Sequence, residues 1–239
     1  MDNRPDSAGT MVRRHRLSTR LWHWLNALLL YILFTSGLGI FNAHPRLYWG
    51  QYGANFDHPW LVLERFSGWI TLPARYNLAM SRHWHLTAAP IFAFALLFYL
   101  LWSLANHHIA RDLAFRRGDL APRHVWQDIK DHARLRFPTG QAALRYNVLQ
   151  KGSYVGILFF ILPIVILTGL TMSPGMNAAW PWLIDLFGGR QSARSIHFIA
   201  AFALAAFFLI HIVMVVLAGP VNEVRSMLTG RYRLPEARP

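Results

Sequence analysis

The chain has 239 residues, 54% of them hydrophobic and 14% aromatic but only 15% charged. Soluble domains carry about 25% charged residues, so the composition is that of a membrane protein. Lys and Arg outnumber Asp and Glu by 24 to 11, and cysteine is absent, which excludes disulfides, thiolate zinc or iron–sulfur sites and Cys-x-x-Cys-His haem attachment.

Four stretches, 21–45, 83–110, 152–184 and 195–222, contain no Asp, Glu, Lys or Arg. Each exceeds the roughly 20 residues a helix needs to cross about 30 Å of hydrocarbon. The expected fold is all-α, a single four-helix transmembrane bundle, with spans at 22–41, 86–104, 154–171 and 196–217 where Trp, Tyr and the first charges mark the interfaces. The first span is too long for a signal peptide and lacks a small-residue cleavage pattern. The segment 44–81 that follows it carries Tyr48, Trp49, Tyr52, Trp60, Phe66 and Trp69. Such aromatics suit the headgroup layer, as a membrane-surface helix, or a face that docks a partner. The segment 106–150, between spans two and three, is polar with a helical stretch near 124–135. Pro163 is expected to kink span three.

The N-terminal arm, the 106–151 segment and the tail hold 18 Lys and Arg, and the two opposite segments hold 6. By the positive-inside rule both termini lie in the cytoplasm of a multi-pass protein of the bacterial inner membrane. The positive charge therefore reflects topology and contact with membrane lipid. No nucleic-acid partner is expected, because no basic region is interleaved with stacking aromatics.

Ionisable residues inside a span are costly and usually functional. His197 and His211 lie fourteen positions apart on the fourth span. That spacing returns to within roughly 40° of the same helix face and separates them by about 21 Å along the axis. His23 enters the first span from inside and His85 enters the second from outside, giving an inner pair, His23 with His211, and an outer pair, His85 with His197. Two imidazoles at one depth of a bundle are what a six-coordinate haem iron needs, and two pairs make room for two b-type haems. By depth alone His44 or His83 can stand in for His85, and His107 or His108 for His23. Arg20, Arg82 and Arg194 each precede a proposed ligand by three residues, on the same helix face, where a guanidinium can meet a haem propionate. Gly37, Gly39, Gly156 and Gly169 offer bare backbone for a flat ring or for close helix packing.

At these residues the chain resembles the bacterial four-helix dihaem cytochrome b group. That group includes membrane subunits of formate dehydrogenase, nickel–iron hydrogenase and thiosulfate reductase, and the small cytochrome b561 proteins. The matching pieces are Arg20-Leu-Trp-His23, Arg82-His-Trp-His85, Tyr146-Asn147-Val-Leu-Gln150-Lys151, Thr168-Gly169, and Arg194-Ser-Ile-His197 with His211 beyond it. The resemblance selects His23 and His85 over their neighbours and implies a quinone site to which Asn147 contributes. Leu149 stands where those relatives carry glycine. The stretch 36–50 is most similar to the thiosulfate-reductase-type branch, whose members often serve a periplasmic molybdopterin oxidoreductase. The expected function is therefore electron transfer between such a periplasmic partner and the membrane quinone pool. The alternative is a stand-alone superoxide:quinone oxidoreductase of the cytochrome b561 type, with Arg75 and Arg82 attracting the anion. Histidine-box di-iron chemistry is excluded by spans that hold no acid, and zinc proteolysis by the lack of a His-Glu-x-x-His motif.

Overall fold

In a computed structural model of the chain, residues 9–54, 56–107, 115, 118–134 and 147–234 are described. In chain order they form β1 (Met11–Arg13), α1 (Leu17–Phe41), β2 (Arg46–Leu47), β3 (Leu61–Val62), α2 (Leu78–Ala105), α3 (Pro122–Ala133) and α4 (Val148–Gly156). A turn of π-helix (Ile157–Ile161) joins α4 to α5 (Leu162–Met172). There follow α6 (Pro174–Ala179), α7 (Trp182–Leu186), α8 (Arg190–Ala218), α9 (Pro220–Thr229) and β4 (Arg231–Arg233). The four runs Leu17–Phe41, Leu78–Ala105, Val148–Met172 and Arg190–Ala218 are long and apolar enough to cross a membrane, as expected. Their outward faces carry large apolar side chains, among them Phe94, Phe98, Leu209 and Ile210, which suits hydrocarbon as the solvent.

The helices end within one residue of the expected C-terminal limits but begin five to eight residues earlier than expected. The charges that bound the apolar stretches mark the edge of the hydrocarbon, not the end of the helix. Arg20, Arg82, Arg190 and Arg194 are all helical. Ahead of Pro163, which lacks an N–H and crowds the carbonyl four residues back, the backbone widens into the π turn.

The chain divides into two compact units. The first comprises 1–24, 99–156 and 208–239. Here β1 pairs antiparallel with β4, Val12 opposite Tyr232, and Val12 packs against buried Tyr232 and Leu234. Arg14 makes a 3.0 Å ion pair with Glu223 and lies over the Tyr232 ring. Burial, with Glu223 beside it, raises the Tyr232 hydroxyl above its ordinary pKa. The expected polar helix is α3, and Leu135, the last residue of that expectation, lies outside the described residues. Asp128 on α3 accepts from the Val148 N–H at the start of α4, and Lys151 pairs with Asp119 at 2.8 Å.

The second unit comprises 25–98 and 157–207. Its outer segment is a correction to the sequence reading. Among the described residues of 44–81 the only helical piece before α2 is the single 3₁₀ turn Gly68–Ile70, and no membrane-surface helix forms. Pro45, Pro59, Pro73, Gly50 and Gly53 punctuate the stretch too densely for a helix. A short β2–β3 ladder forms instead and is fastened to the start of α8. Ser195 Oγ donates to the Tyr48 carbonyl (2.6 Å) and accepts from Trp60 Nε1 (3.0 Å). Ser192 Oγ accepts from the Gly50 N–H (2.7 Å). Tyr48, expected in the headgroup layer, is 2% exposed and belongs to the core, whereas Tyr52, Phe56 and Trp69 are exposed. At Gly39 α1 and α2 approach closely: a Cβ added there would meet Ser81 Cβ at 2.9 Å.

Candidate functional site: two facing histidine pairs

In the first unit, His23 on α1 and His211 on α8 face each other with ring centroids 6.3 Å apart. In the second unit, His85 on α2 and His197 on α8 do the same at 6.2 Å. The four residues paired by depth are thus brought together in those two pairs. Of the rivals, His44 stacks on Tyr48, with Nε2 3.2 Å from its hydroxyl, and His83 and His107 are exposed. Burial and the Arg194 and Arg46 guanidinium groups lower the His44 pKa. His108 and Tyr146 lie outside the described residues.

The geometry suits one metal ion between each pair. Metal–imidazole bonds of about 2.0–2.1 Å from opposite sides put two ring centroids about 6 Å apart. Among the described residues no group of three or more His, Asp or Glu is placed to hold an ion. Two facing imidazoles at this separation would suit the protein's two ligands to a haem iron.

The outer pair is also set in the right tautomer. His85 Nδ1 lies 3.1 Å from the Leu33 carbonyl and His197 Nδ1 lies 3.0 Å from the Val165 carbonyl. A carbonyl only accepts, so each Nδ1 carries the proton and each Nε2 keeps its lone pair for a metal. Gly37 and Gly169 put bare backbone beside these rings: an added Cβ would stand 3.6 Å from His85 Cε1 and 3.4 Å from His197 Cε1, along the Cε1–Nδ1 edge of each ring. Gly156 faces open space. At the inner pair, His23 Nδ1 is buried with no hydrogen-bond partner among the described residues.

The three arginines separate. Arg20 donates from Nε and Nη2 to the Met227 and Leu228 carbonyls at the end of α9. Arg194 donates to the His44 (2.5 Å) and Arg46 (2.7 Å) carbonyls. Both guanidinium groups thus fasten backbone, and only their remaining N–H groups are left for a propionate. Arg82 is exposed. Asn147 caps α4: its Oδ1 accepts from the Gln150 N–H (2.8 Å) and its own N–H donates to Gln150 Oε1 (3.3 Å), a reciprocal capping box. Leu33, Ser36 and Val165, the partners of His85 and His197, were not anticipated from the sequence. The signal was present as a Ser-Gly on the first span and a Thr-Gly on the third.

Comparison with known proteins agrees with this architecture. The model of the family described as prokaryotic cytochrome b561 matches residues 14–230. A protein of Cupriavidus necator assigned as a Ni/Fe-hydrogenase B-type cytochrome subunit is 27% identical over 227 residues, covering 90% of this chain and 83% of its own. A protein of Azospira oryzae assigned as a protein-methionine-sulfoxide reductase subunit is 27% identical over 200 residues, 83% of this chain and 87% of its own. Cytochrome YdhU of Escherichia coli is 25% identical over 232 residues, 94% of this chain and 76% of its own.

Proposed function

The chain belongs to the prokaryotic cytochrome b561 family, electron-carrying b-type haem proteins of the bacterial inner membrane, and from that membership we propose that it binds two haems and links a periplasmic redox enzyme to the quinone pool. The observation that carries the reading is the two pairs of facing imidazoles, at 6.2 and 6.3 Å. His85 and His197 hold the outer haem, and His23 and His211 the inner one. Haem supplies a one-electron carrier whose potential is set by its axial ligands and their surroundings. The protein's part is to fix ring orientation, present Nε2 and keep water away from the iron. Arg82, exposed on the same helix face as His85, meets a propionate of the outer haem, and Arg20 and Arg194 contribute their spare N–H groups.

Haem content of single variants tests the assignment. Substituting His85 or His197 by Ala removes one haem and cuts off the periplasmic donor. Substituting His23 or His211 removes the other and abolishes quinone reactivity. Loss of both haems from every variant, or of neither, rejects the pairing.

The partner we propose is a periplasmic oxidoreductase, supported by two relatives assigned as subunits of a hydrogenase and of a reductase. A molybdopterin enzyme is favoured by the thiosulfate-reductase-like stretch at 36–50, a nickel–iron enzyme by the Cupriavidus necator relative. Metal analysis of the co-purified protein, molybdenum against nickel, divides them. Superoxide-dependent quinone reduction by the isolated chain, with no protein retained, replaces both. The likeness of the 146–151 segment to quinone-binding relatives supports a quinone site to which Asn147 contributes.

A further inference from the structure

Two helices that precede the outer ligands in the chain present the same three-part cradle. On α1, the Leu33 carbonyl and Ser36 Oγ both lie 3.1 Å from His85 Nδ1, and Gly37 follows. On α5, the Val165 carbonyl and Thr168 Oγ both lie 3.0 Å from His197 Nδ1, and Gly169 follows. Carbonyl, hydroxyl and glycine stand at the same offsets on both helices. Each hydroxyl is also 2.6 Å from the carbonyl four residues back, Ile32 for Ser36 and Ile164 for Thr168. A hydroxyl that donates its proton to that carbonyl has only lone pairs to offer the imidazole. It therefore accepts from Nδ1–H, and Ser36 and Thr168, both 0% exposed, have no water to exchange with.

We propose that Ser36 and Thr168 are matched positioning residues that draw on the Nδ1 protons of His85 and His197 through a hydroxyl relay and thereby lower the reduction potential of the outer haem. The inference rests on the ligand assignment above. An acceptor on Nδ1–H makes the imidazole a stronger donor at Nε2, and a stronger donor stabilises the ferric over the ferrous ion. Ser36 bonds to His85 and Thr168 bonds to His197, both of them members of the outer pair. The effect is therefore confined to one of the two haems.

The test is a spectroelectrochemical titration of the purified full-length chain with its haem content measured in parallel. Ser36→Ala and Thr168→Val, made singly, each keep the carbonyl acceptor and remove the hydroxyl. Each is expected to move one of the two reduction steps to higher potential and leave the other in place, with both haems retained. The shifted step is identified as outer by its absence from His85→Ala. A variant that keeps both haems with neither step moved, or with the inner step moved, overturns the proposal. Should a variant fail to load the outer haem, Ser36→Thr and Thr168→Ser decide. They keep the oxygen and exchange only a methyl, so unchanged potentials support the relay and a shifted outer step contradicts it. A wild-type chain with fewer than two haems defeats the ligand assignment instead, which separates the two failures.

Discussion

Asn147 caps a helix and is also the residue proposed for the quinone site. It was singled out through a resemblance to quinone-binding relatives, yet its Oδ1 and N–H are engaged in a reciprocal cap with Gln150. The Asn-x-x-Gln spacing is itself a helix-start signal and was legible as such. Asn147→Leu is expected to lower stability by about 1 kcal/mol through loss of the cap, read as a lower unfolding midpoint in detergent. Asn147→Ser retains an acceptor for the Gln150 N–H and keeps that midpoint. Both lose the Nδ2 donor and are expected to slow quinone turnover with both haems in place, and undiminished turnover in Asn147→Ser removes the residue from the quinone site. The facing histidine pairs were legible because an ionisable ring is costly at membrane depth. Their carbonyl partners were not, since every residue has a carbonyl and only the folded chain shows which one faces a ring.

At the scale of the element, the C-terminal ends of the long helices were readable because stop signals sit there: Asn42 to Pro45, Ser173-Pro174 and Gly219-Pro220. The N-terminal ends were not, because arginines that snorkel to the interface remain good helix formers. The outer segment was misread for a related reason. Aromatic content reports affinity for an interface and says little about backbone shape, whereas the prolines and glycines that decide the shape are spread through the stretch. The packing of α1 on α2 at Gly39 gives a sharp expectation. Gly39→Val forces a branched side chain against Ser81, and overpacking of this kind costs about 1–3 kcal/mol. A lowered unfolding midpoint checks it, with Gly156→Val, which faces open space, as the neutral control.

On the scale of the whole molecule, β1 and β4 tie the two ends of the chain into one ribbon, as an even number of crossings allows. Beside that ribbon, His15 is half-buried and flanked by Arg14, His23 and Arg20, and its pKa falls from 6.5 to about 4. Burial is the larger cause and the neighbouring positive charges add to it. The unfolded chain therefore takes up a proton near pH 6.5 that the folded chain refuses until about pH 4. Between those values the unfolded state binds more protons, so the His15 contribution lowers stability as pH falls and vanishes above 6.5. His15→Gln removes that loss: its unfolding midpoint, relative to wild type, is expected to rise as pH drops through this window and to stay constant above it. A difference that does not vary with pH contradicts the assignment.

In the proposed function each facing pair of imidazoles grips its own iron porphyrin. The most direct measurement is a pyridine-haemochrome count on the purified wild-type chain, set against its protein concentration. Two haems of b type per chain is the result expected, and one haem or none contradicts the account.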